Sequence, residues 1–343
     1  MRAIVQYQNI KVNVITGFLG SGKTTLIKQL LSSVPEGESW AVLVNEFGEV
    51  GIDGDLLKSN EIAIKQVPGG CLCCVSSAAF SVGLNELIKT TKPDRIIIEP
   101  TGIGHPHQIV EQLSAKYYRG VLEVCGTICL MDVRNLSDPR YLGHPAFFDQ
   151  IDDADILIGS KADLYNDDDE LRFLQFAKQF EPAKSVVALS QNGLFDQSWL
   201  DIVRAQQHIH NDHDHDHDHD HDHDHDHDHD HDHDAVTSEP SDGVMCYQKR
   251  DLDMASIGWV ADSNWFISSE RFEQFLAYLS EASDFWRFKG IIRVDDTFEQ
   301  INMTQTEMQR RATDEVLTSR FECIFSIDDG YEKHLNTLHK ILF

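Results

Sequence analysis

The sequence lacks long apolar runs and has few basic residues. No stretch approaches the roughly 18 apolar residues of a membrane helix, and residues 1–9 show no basic-then-apolar signal segment. The chain has 29 lysines and arginines against 57 acidic residues. General nucleic-acid binding requires clustered cations on one face. We therefore expect a cytoplasmic protein that neither crosses a membrane nor binds nucleic acid.

Much of the acidity lies in one segment. All 12 even-numbered positions from Asp212 to Asp234 are aspartate, and without them 45 acidic residues still outnumber 29 basic ones. A net charge of this sign is one that a bound cation would partly neutralise. The hydrophobic fraction of 41% is ordinary for a globular protein, and the length of 343 residues indicates two domains.

Cysteine is scarce outside one cluster. The chain has seven cysteines, and three of them, Cys71, Cys73 and Cys74, fall within four residues. A chain of this size does not need disulfides to stabilise its core. The cluster therefore indicates metal or redox chemistry in a reducing compartment.

Short apolar runs rich in β-branched residues recur up to about residue 190, with segments of helical spacing between several of them. This alternation predicts an α/β fold with a mostly parallel sheet. The predicted strands are Lys11–Thr16, Trp40–Glu46, Asp94–Pro100, Cys125–Asp132, Ile156–Lys161 and Ser185–Ser190. The predicted helices are Thr24–Leu31, Ser81–Thr90, His107–Tyr118 and Asp168–Phe180.

The composition changes after this region. Residues 208–234 are almost only histidine and aspartate, and low complexity continues to about residue 241, where no core can form. Residues 206–243 are therefore predicted to be a disordered linker. The following residues, 244–343, suggest the order β-α-β-β-(β)-α, a smaller α+β domain with a suspected ferredoxin-like arrangement. Its predicted elements are Gly258–Ala261, Ser268–Ser280, Phe285–Val294, Phe298–Thr304, Phe321–Ile327 and Tyr331–Leu342.

A glycine-rich motif follows the first predicted strand. Residues 17–24 read GFLGSGKT and match the phosphate-binding pattern G-x-x-x-x-G-K-[ST] in full. The glycines let backbone N–H groups surround phosphates, and the next helix directs its positive end at them. Lys23 is expected to reach the β- and γ-phosphates, and Thr24 to place its hydroxyl on Mg²⁺, with Asp53 as a further Mg²⁺ candidate. We predict a P-loop nucleotide-binding domain over residues 1–205.

A second motif concerns the base. The strand that begins at Ile156 ends in Ser160-Lys161-Ala162-Asp163, close to the Asn-Lys-x-Asp pattern that reads guanine. The Asp163 carboxylate can accept both guanine N1–H and N2–H₂, which adenine lacks. Lys161 would lie over the purine. Ser160 stands where asparagine is typical and reaches less far, so GTP is favoured over ATP with the base preference slightly open.

An acidic residue ends another apolar strand. Glu99 follows Ile96-Ile97-Ile98 and precedes Pro100-Thr101-Gly102. An acid at this place orients the waters of Mg²⁺ in phosphate-binding proteins of this kind. Gly102 would place a backbone N–H where a γ-phosphate can be sensed.

The cysteine cluster follows the turn Pro68-Gly69-Gly70. Thiolates bind soft or borderline cations such as Zn²⁺, Cu⁺ and Co²⁺, and Glu46 or Glu49 could complete the shell. The His-Asp tract holds 13 of the 18 histidines and would bind Zn²⁺, Ni²⁺ or Co²⁺ at several exchangeable positions. Its auxiliary ligands include His208, His210, His213, His215 and His217.

Taken in order, these motifs resemble the CobW-type metallochaperone GTPases, relatives of the urease- and hydrogenase-maturation GTPases. The motifs are Gly17–Thr25, Asn45–Glu49 with Asp53, Gly70–Cys74, Glu99–Gly102 and Ser160–Asp163. The resemblance covers residues 11 to about 190. The C-terminal unit, with Phe288-Lys-Gly-Ile-Ile292, resembles the smaller C-terminal domain of the family, which often has a His-rich insert before it.

The resemblance implies slow, Mg²⁺-dependent GTP hydrolysis coupled to metal binding at the three clustered cysteines, and transfer of that metal to a client metalloprotein. It assigns catalytic importance to Lys23 and Glu99. The implied nucleotide contacts are Gly17, Gly20, Ser21, Gly22, Lys23, Thr24, Thr25, Gly102, Ser160, Lys161 and Asp163. Zn²⁺ is the best single candidate for the metal, with Co²⁺ and Ni²⁺ remaining.

Two other functions stay open at this point. The protein could be a zinc buffer whose His-Asp tract stores ions, or a cobalt-handling factor in cobalamin synthesis. A small-molecule P-loop kinase is least supported, because nothing between the motifs is typical of an acceptor lid. A homodimer that shares a metal at the thiolate loop is an alternative to the monomer.

Overall fold

The computed structural model describes residues 7–44, 62–66, 77–204, 236–237, 243–251, 254–313, 318–327 and 331–343. The chain divides into two compact units, Met1–Ala205 and Gln206–Phe343. Each unit has its own sheet and its own hydrophobic core. Within the described ranges, no helix is long and apolar enough to cross a membrane.

The first unit alternates strands and helices. Its strands are β1 Ile10–Thr16, β2 Trp40–Val44, β3 Ile62–Gln66, β4 Arg95–Glu99, β5 Leu122–Val124, β6 Ile128–Asp132, β7 Ile156–Ser160 and β8 Val186–Leu189. Its helices are α1 Lys23–Leu31, α2 Ser77–Thr91, α3 Pro106–Leu113, α4 Pro139–Leu142, α5 Pro145–Asp152 and α6 Asp167–Ala177.

These strands form one sheet in the order β3-β2-β4-β1-β6-β7-β8, with β5 paired to β1. Every strand pairing described in this sheet is parallel, which confirms the predicted α/β class. Strand β1 is central, between β4 and β6. The carboxyl ends of these strands therefore meet at one edge, which is where ligands bind in open parallel sheets.

Helices cover both faces of this sheet. The fully buried Ile96 and Ile98 of β4 pack toward a cluster with α2 and α3, whereas Ile97 packs toward α1 on the other face. Alternation of side chains along a strand produces this division. Burying each isoleucine side chain stabilises the fold by about 1.5–3 kcal/mol. An uninterrupted apolar strand is therefore most stable at the centre of such a sheet, where both of its faces are covered.

Several predicted elements have other limits in the structure. The predicted strand Cys125–Asp132 is shorter, because β6 begins at Ile128 and the separate strand β5 precedes it. The predicted helix His107–Tyr118 ends at Leu113, and a 3₁₀ turn follows at Lys116–Tyr118. Strand β3 and helices α4 and α5 were not predicted. Both of these helices begin at a proline after a capping side chain, Asp138 and His144 respectively.

In the described residues of the second unit, seven strands form one sheet and two helices accompany it. Its elements are β9 Val236–Thr237, β10 Val244–Asp251, β11 Met254–Ala261, α7 Ser269–Glu281, β12 Phe285–Val294, β13 Thr297–Met303, β14 Met308–Thr313, β15 Ser319–Ser326 and α8 Tyr331–Leu342. The sheet order is β14-β13-β12-β15-β11-β10-β9, and the described pairings are all antiparallel. Phe272, Phe275 and Leu338 of the helices pack on one face of it.

The predicted α+β class of this unit is confirmed, but the order of its elements differs from the suspected ferredoxin-like one. In a ferredoxin-like domain a helix precedes the last strand, whereas here α8 follows β15. Strand β14 was not predicted from the sequence. Five of its six residues are exposed, so the strand lacks the apolar face by which strands are recognised. Of the predicted linker, residues 206–243, only 236–237 and 243 are described, and Thr237 and Val236 pair with β10.

Candidate functional site

The loop between β1 and α1 adopts a backbone that requires glycine. Gly17 has φ +141°, and a Cβ built there would lie 2.3 Å from the carbonyl oxygen of Leu130. Gly20 and Gly22 have φ of +75° and +94°. Side chains would be strained in this conformation. The backbone at these three glycines therefore carries no side chains, which leaves its N–H groups accessible to a phosphate.

The first turn of α1 is left without acidic or capping side chains. Gly22 occupies the N-cap position in a left-handed conformation, with no side-chain cap and no acid in the first turn. By contrast, α6 has a capping box at Asn166 and four acids in its first turn. The N–H groups and positive dipole end of α1 are thus available for an anion.

Lys23 lies inside this loop. Its side chain is 6% exposed, and Nζ donates to the carbonyl oxygens of Gly17 at 2.7 Å and Phe18 at 3.3 Å. A Cβ built on Gly102 would lie 3.2 Å from the same Nζ. The loop after β4 therefore approaches the Lys23 ammonium group directly.

Thr24 and Glu99 meet at the edge of the sheet. The Thr24 hydroxyl donates to Glu99 Oε1 at 3.0 Å, and the Glu99 side chain is buried. Glu99 is the last residue of β4, which pairs with β1. The structure thus brings two of the three residues predicted to serve Mg²⁺ into hydrogen-bond contact, and the third, Asp53, lies outside the described residues.

Ser160 lies beneath the glycine-rich loop. Its buried hydroxyl donates to the carbonyl oxygen of Ser21 at 2.6 Å and is 3.1 Å from that of Met131. The Ser21 hydroxyl is also buried and has no hydrogen-bond partner in the part of the chain that the structure describes. The short Ser160 side chain therefore holds the phosphate loop, which sequence reasoning did not anticipate.

The two residues that follow have different environments. Lys161 takes a left-handed conformation with φ +58°, and its Nζ lies 3.4 Å from Oδ2 of Asp132. Asp163 is exposed, in a 3₁₀ turn at Ala162–Leu164. The Tyr165 hydroxyl accepts from Val133 N at 2.8 Å and donates to the Ser160 carbonyl oxygen, which anchors this loop. Burial raises the Tyr165 pKa, so the hydroxyl stays protonated.

Sequence reasoning missed the loop after β8. The Ala162 N–H donates to Ser190 O at 3.0 Å, and the Ser190 hydroxyl donates to Leu194 O at 2.6 Å. Gly193 has φ +78°, and a Cβ there would lie 3.1 Å from Thr25 O. A cavity of about 350 Å³ lies between this loop and α6. Its lining residues are Ala162, Tyr165, Asn166, Asp167, Glu170, Leu189, Gln191 and Leu194.

Gln150 and Asp132 were also missed. The Gln150 amide lies in the interior and donates to carbonyl oxygens of Gly102 and Gly104. Asp132 ends β6 and is 4% exposed. An acid at the end of an apolar strand was a usable signal for Asp132, but nothing in the sequence around Gln150 indicated its role.

The predicted transition-metal ligands lie outside the described residues. These are Cys71, Cys73, Cys74, Glu46 and Glu49, together with the Mg²⁺ candidate Asp53 and the tract histidines His208, His210, His213, His215 and His217. Among the residues that the structure does describe, no group of three or more His, Cys, Asp or Glu side chains could hold a metal ion.

The four described cysteines are poor metal ligands. Cys125, Cys129, Cys246 and Cys323 are free and buried. Burial raises the pKa of Cys129 to about 12 and that of Cys246 to about 11. Because the thiolate is the form that binds metal, these side chains remain neutral thiols.

Most residues of the first unit match the model of a known family. The family description "CobW/HypB/UreG, nucleotide-binding domain" fits residues 11–188. The chain belongs to the CobW/HypB/UreG family. Its phosphate loop, strand-end acid and Ser160–Asp163 loop all fall inside the matched residues.

Curated relatives and solved structures that are similar to this chain include the following three. Zinc chaperone YeiR of Escherichia coli K12 is 44% identical over 194 residues, 57% of this chain and 59% of the relative. Zinc chaperone CobW of a Sinorhizobium species is 30% identical over 202 residues, 57% of this chain and 54% of the relative. The alignments thus span little more than half of these relatives' length. The Zn(II)-bound YjiA GTPase of E. coli is 18% identical, covering 98% of this chain and 99% of that one with a TM-score of 0.41.

Proposed function

We propose that this protein is a Mg²⁺-dependent GTPase that binds a transition metal, Zn²⁺ in the first place, and delivers it to a client metalloprotein. The observation that best supports GTP binding and hydrolysis is the Thr24–Glu99 hydrogen bond of 3.0 Å beside the buried Lys23. This places a lysine, a hydroxyl and a carboxylate around one helix N-terminus. Membership of the CobW/HypB/UreG family supports the same function.

The phosphates would bind at the loop before α1. Its bare backbone N–H groups and the uncapped first turn of α1 favour negative charge. Lys23 would exchange its two bonds to loop carbonyl oxygens for bonds to the β- and γ-phosphates. Gly102 would meet the terminal phosphate through its backbone, since a Cβ built on it would lie 3.2 Å from both Leu19 N and Lys23 Nζ.

The residues at the sheet edge fit Mg²⁺. The Thr24 hydroxyl and the Glu99 carboxylate are oxygen donors, which this hard cation prefers. Thr24 and Asp53 would hold the ion, with Glu99 orienting its waters. Bound Mg²⁺ neutralises charge on the β- and γ-phosphate oxygens. The chain itself orients the phosphates and excludes solvent around Lys23.

The base would lie at the loop Ser160–Asp163. Asp163 is exposed and available to accept from guanine, while Lys161 is held by Asp132 in a left-handed turn. Ser160 would act on the nucleotide through the phosphate loop, to which it is bonded, and the loop Ser190–Leu194 would support the base loop through Ala162. These contacts favour GTP as the substrate.

The metal would be cargo held by Cys71, Cys73 and Cys74, with Glu46 or Glu49. Two described strands lead into these residues: β2 ends at Val44, which pairs with both Glu99 and Gln66, the last residue of β3. Glu46 follows Val44 by two residues, and Cys71 follows Gln66 by five. The proposed metal ligands are thus tethered by short stretches of chain to the edge where Glu99 lies. This supports reciprocal coupling between nucleotide and metal.

The test uses the protein without residues 208–234, so that the auxiliary tract does not mask the single site. GTP hydrolysis and GTP affinity are measured with and without one equivalent of Zn²⁺. The same measurements are made on the double variant Cys73→Ser/Cys74→Ser and on the control Cys246→Ala, which alters a buried thiol in the second unit. We expect Zn²⁺ to change the rate or affinity by at least about fivefold, and the change to vanish only in the double variant.

Other outcomes would favour the alternatives. Hydrolysis that ignores Zn²⁺ in all three proteins would contradict coupling. If, in addition, the intact protein loses most of its zinc capacity when residues 208–234 are removed, a zinc buffer is the better description. A clear preference of the thiolate site for Co²⁺ over Zn²⁺ would favour the cobalt-handling function.

A further inference from the structure

Helix α5 places a glutamine in the interior beside the loop after β4. The Gln150 side chain is fully buried, and its Nε2 donates to the carbonyl oxygens of Gly102 at 3.1 Å and Gly104 at 2.9 Å. An amide nitrogen has two N–H donors, so both are used on this one loop. Its Oε1 is buried without a hydrogen-bond partner in the described part of the chain. A buried acceptor without a partner lowers the stability of the fold. The stabilising contribution of Gln150 therefore comes from the two hydrogen bonds that its Nε2 donates.

The loop held by Gln150 is the one that faces Lys23. A Cβ on Gly102 would lie 2.8 Å from Leu19 Cδ2 and 3.2 Å from Lys23 Nζ, so this backbone has little freedom to shift toward the phosphate loop. The Gly104 N–H closes a turn on Thr101 O at 3.1 Å. The loop is therefore fixed between the phosphate loop on one side and the Gln150 amide on the other.

The same helix also contacts the phosphate loop. The Phe18 ring packs edge-on against Phe147 at 6.0 Å and against His144, the N-cap of α5, at 4.8 Å. One residue before Gln150, Asp149 lies 3.0 Å from Nδ1 of His105, at the start of α3. Helix α5 thus touches both structures that would enclose the terminal phosphate.

We propose that Gln150 is a positioning residue that fixes the loop Thr101–Gly104 and thereby sets how strongly the protein distinguishes GTP from GDP. The proposal rests on the proposed function, because it takes Gly102 as the group that meets the γ-phosphate. GDP does not reach Gly102. Freeing the loop therefore weakens binding of the triphosphate and slows hydrolysis, while GDP binding, which depends on residues 17–24, stays near its original strength.

The experiment uses the full-length chain and the variant Gln150→Met, which keeps a flexible side chain of similar length and removes both donors. Gln150→Asn is the second variant: it keeps the amide but shortens its reach. The control is Gln112→Met, the same change in a partly buried glutamine of α3 that makes no hydrogen bond to this loop among the described residues. Dissociation constants for GDP and for the slowly hydrolysed analogue GTPγS, and kcat and KM for GTP, are measured with Mg²⁺ present.

We expect the affinity ratio of GTPγS to GDP and the kcat to fall at least about fivefold in Gln150→Met, within the range of a coupling of this kind. Both values for Gln150→Asn should lie between those of Gln150→Met and of the original protein. Both values for Gln112→Met should equal those of the original protein. An unchanged ratio in a folded Gln150→Met protein would overturn the proposal. An equal loss of GDP and GTPγS affinity in both Gln150 variants would also overturn the proposal. Such a loss would mean that Gln150 stabilises the whole nucleotide site and does not act on the terminal phosphate. If the unaltered chain binds no guanine nucleotide, the proposed function itself fails, which is a separate result.

Discussion

The Ser160 hydroxyl donates to the carbonyl oxygen of Ser21 at 2.6 Å, and this bond joins the loop after β7 to the loop before α1. Both side chains are buried. The proposed base-binding and phosphate-binding loops are therefore parts of one connected structure. The short Ser160 side chain reaches the Ser21 carbonyl oxygen because the two loops lie close together.

Replacing Ser160 should therefore affect all nucleotides alike. In Ser160→Ala, the affinity for both GTP and GDP should fall about three- to tenfold, since a buried hydrogen bond contributes about 1 kcal/mol. The preference for GTP over ATP should stay the same, because Asp163 is the proposed base contact. Titration of the three nucleotides by calorimetry measures this. A collapse of the GTP preference would instead assign the base contact to Ser160.

Asp163 should carry the base preference. In Asp163→Asn, the guanine loses a charged acceptor worth about 1.5–3 kcal/mol, so GTP affinity should fall about 10- to 100-fold. The affinity for ATP should change little. Competition binding of GTP and ATP against a fluorescent nucleotide measures both. Equal GTP binding by the variant and the original protein would contradict the assignment of Asp163.

Thr24 should set the requirement for Mg²⁺. Thr24→Val keeps the shape of the side chain and removes the hydroxyl that donates to Glu99. The Mg²⁺ concentration for half-maximal hydrolysis should rise about tenfold or more, since a direct ligand is lost. The control is Thr90→Val, which removes an exposed hydroxyl on α2 that bonds the carbonyl oxygen of Glu86. An Mg²⁺ dependence that is the same in Thr24→Val and in the control would contradict the role of Thr24.

Gly17 should tolerate no side chain. Gly17→Ala would bring a methyl group to 2.3 Å from the Leu130 carbonyl oxygen, so the loop must move and nucleotide binding should be lost. Gly37→Ala is a matched control, because Gly37 also has a positive φ, +87°, but no atom lies within 4 Å of the added Cβ. That variant should lose only about 1–2 kcal/mol of stability and keep its nucleotide affinity. Nucleotide titration and thermal unfolding of both proteins check this.

The cysteines should fall into two reactivity classes. Cys125, Cys129, Cys246 and Cys323 are buried and should react with a thiol reagent at pH 8 only after unfolding. The other three, Cys71, Cys73 and Cys74, should account for the fast reaction. In the protein without residues 208–234, whose histidines would compete for zinc, one equivalent of Zn²⁺ should suppress it. Stopped-flow counting of thiols with and without Zn²⁺ measures this. Fast modification that Zn²⁺ leaves unchanged would count against the thiolate site.

The same buried thiols predict a loss of stability in alkali. Burial raises the Cys129 pKa from 9.0 to about 12, so the unfolded chain releases this proton first as pH rises. The contribution of this thiol is therefore complete below pH 9 and declines as pH approaches 12. Cys129→Ala should show a weaker decline in urea-unfolding stability above pH 9 than the original protein.

The sequence was sufficient where the chemistry is local. Residues 17–24 are consecutive, and their spacing alone predicts a glycine-rich loop followed directly by a helix. The predicted helix start, Thr24, lies one residue after the observed start at Lys23. The apolar run before Glu99 likewise predicted a buried strand with an acid at its end. A short motif carries its own backbone requirements, so no knowledge of distant residues was needed.

The sequence was insufficient where the contact joins distant residues. Gln150 and Gly102 are separated by 48 positions, and a single glutamine in a helix is typical of many roles. The loop Ser190–Leu194 contacts Ala162 and Thr25 only because β7 and β8 are neighbours in the sheet. Strand β14 lies at the sheet edge with almost all its side chains exposed, so hydrophobic periodicity could not find it.

Helix α1 begins with a left-handed glycine and has no acid in its first turn. Its opening N–H groups therefore have no capping side chain to bond, and a bound anion would accept from them. Nucleotide occupancy then becomes part of the folding equilibrium, and a hundredfold excess over the dissociation constant would add about 2.7 kcal/mol of stability. Without bound nucleotide the protein would lose this increment, and a larger fraction of its molecules would be unfolded at any moment.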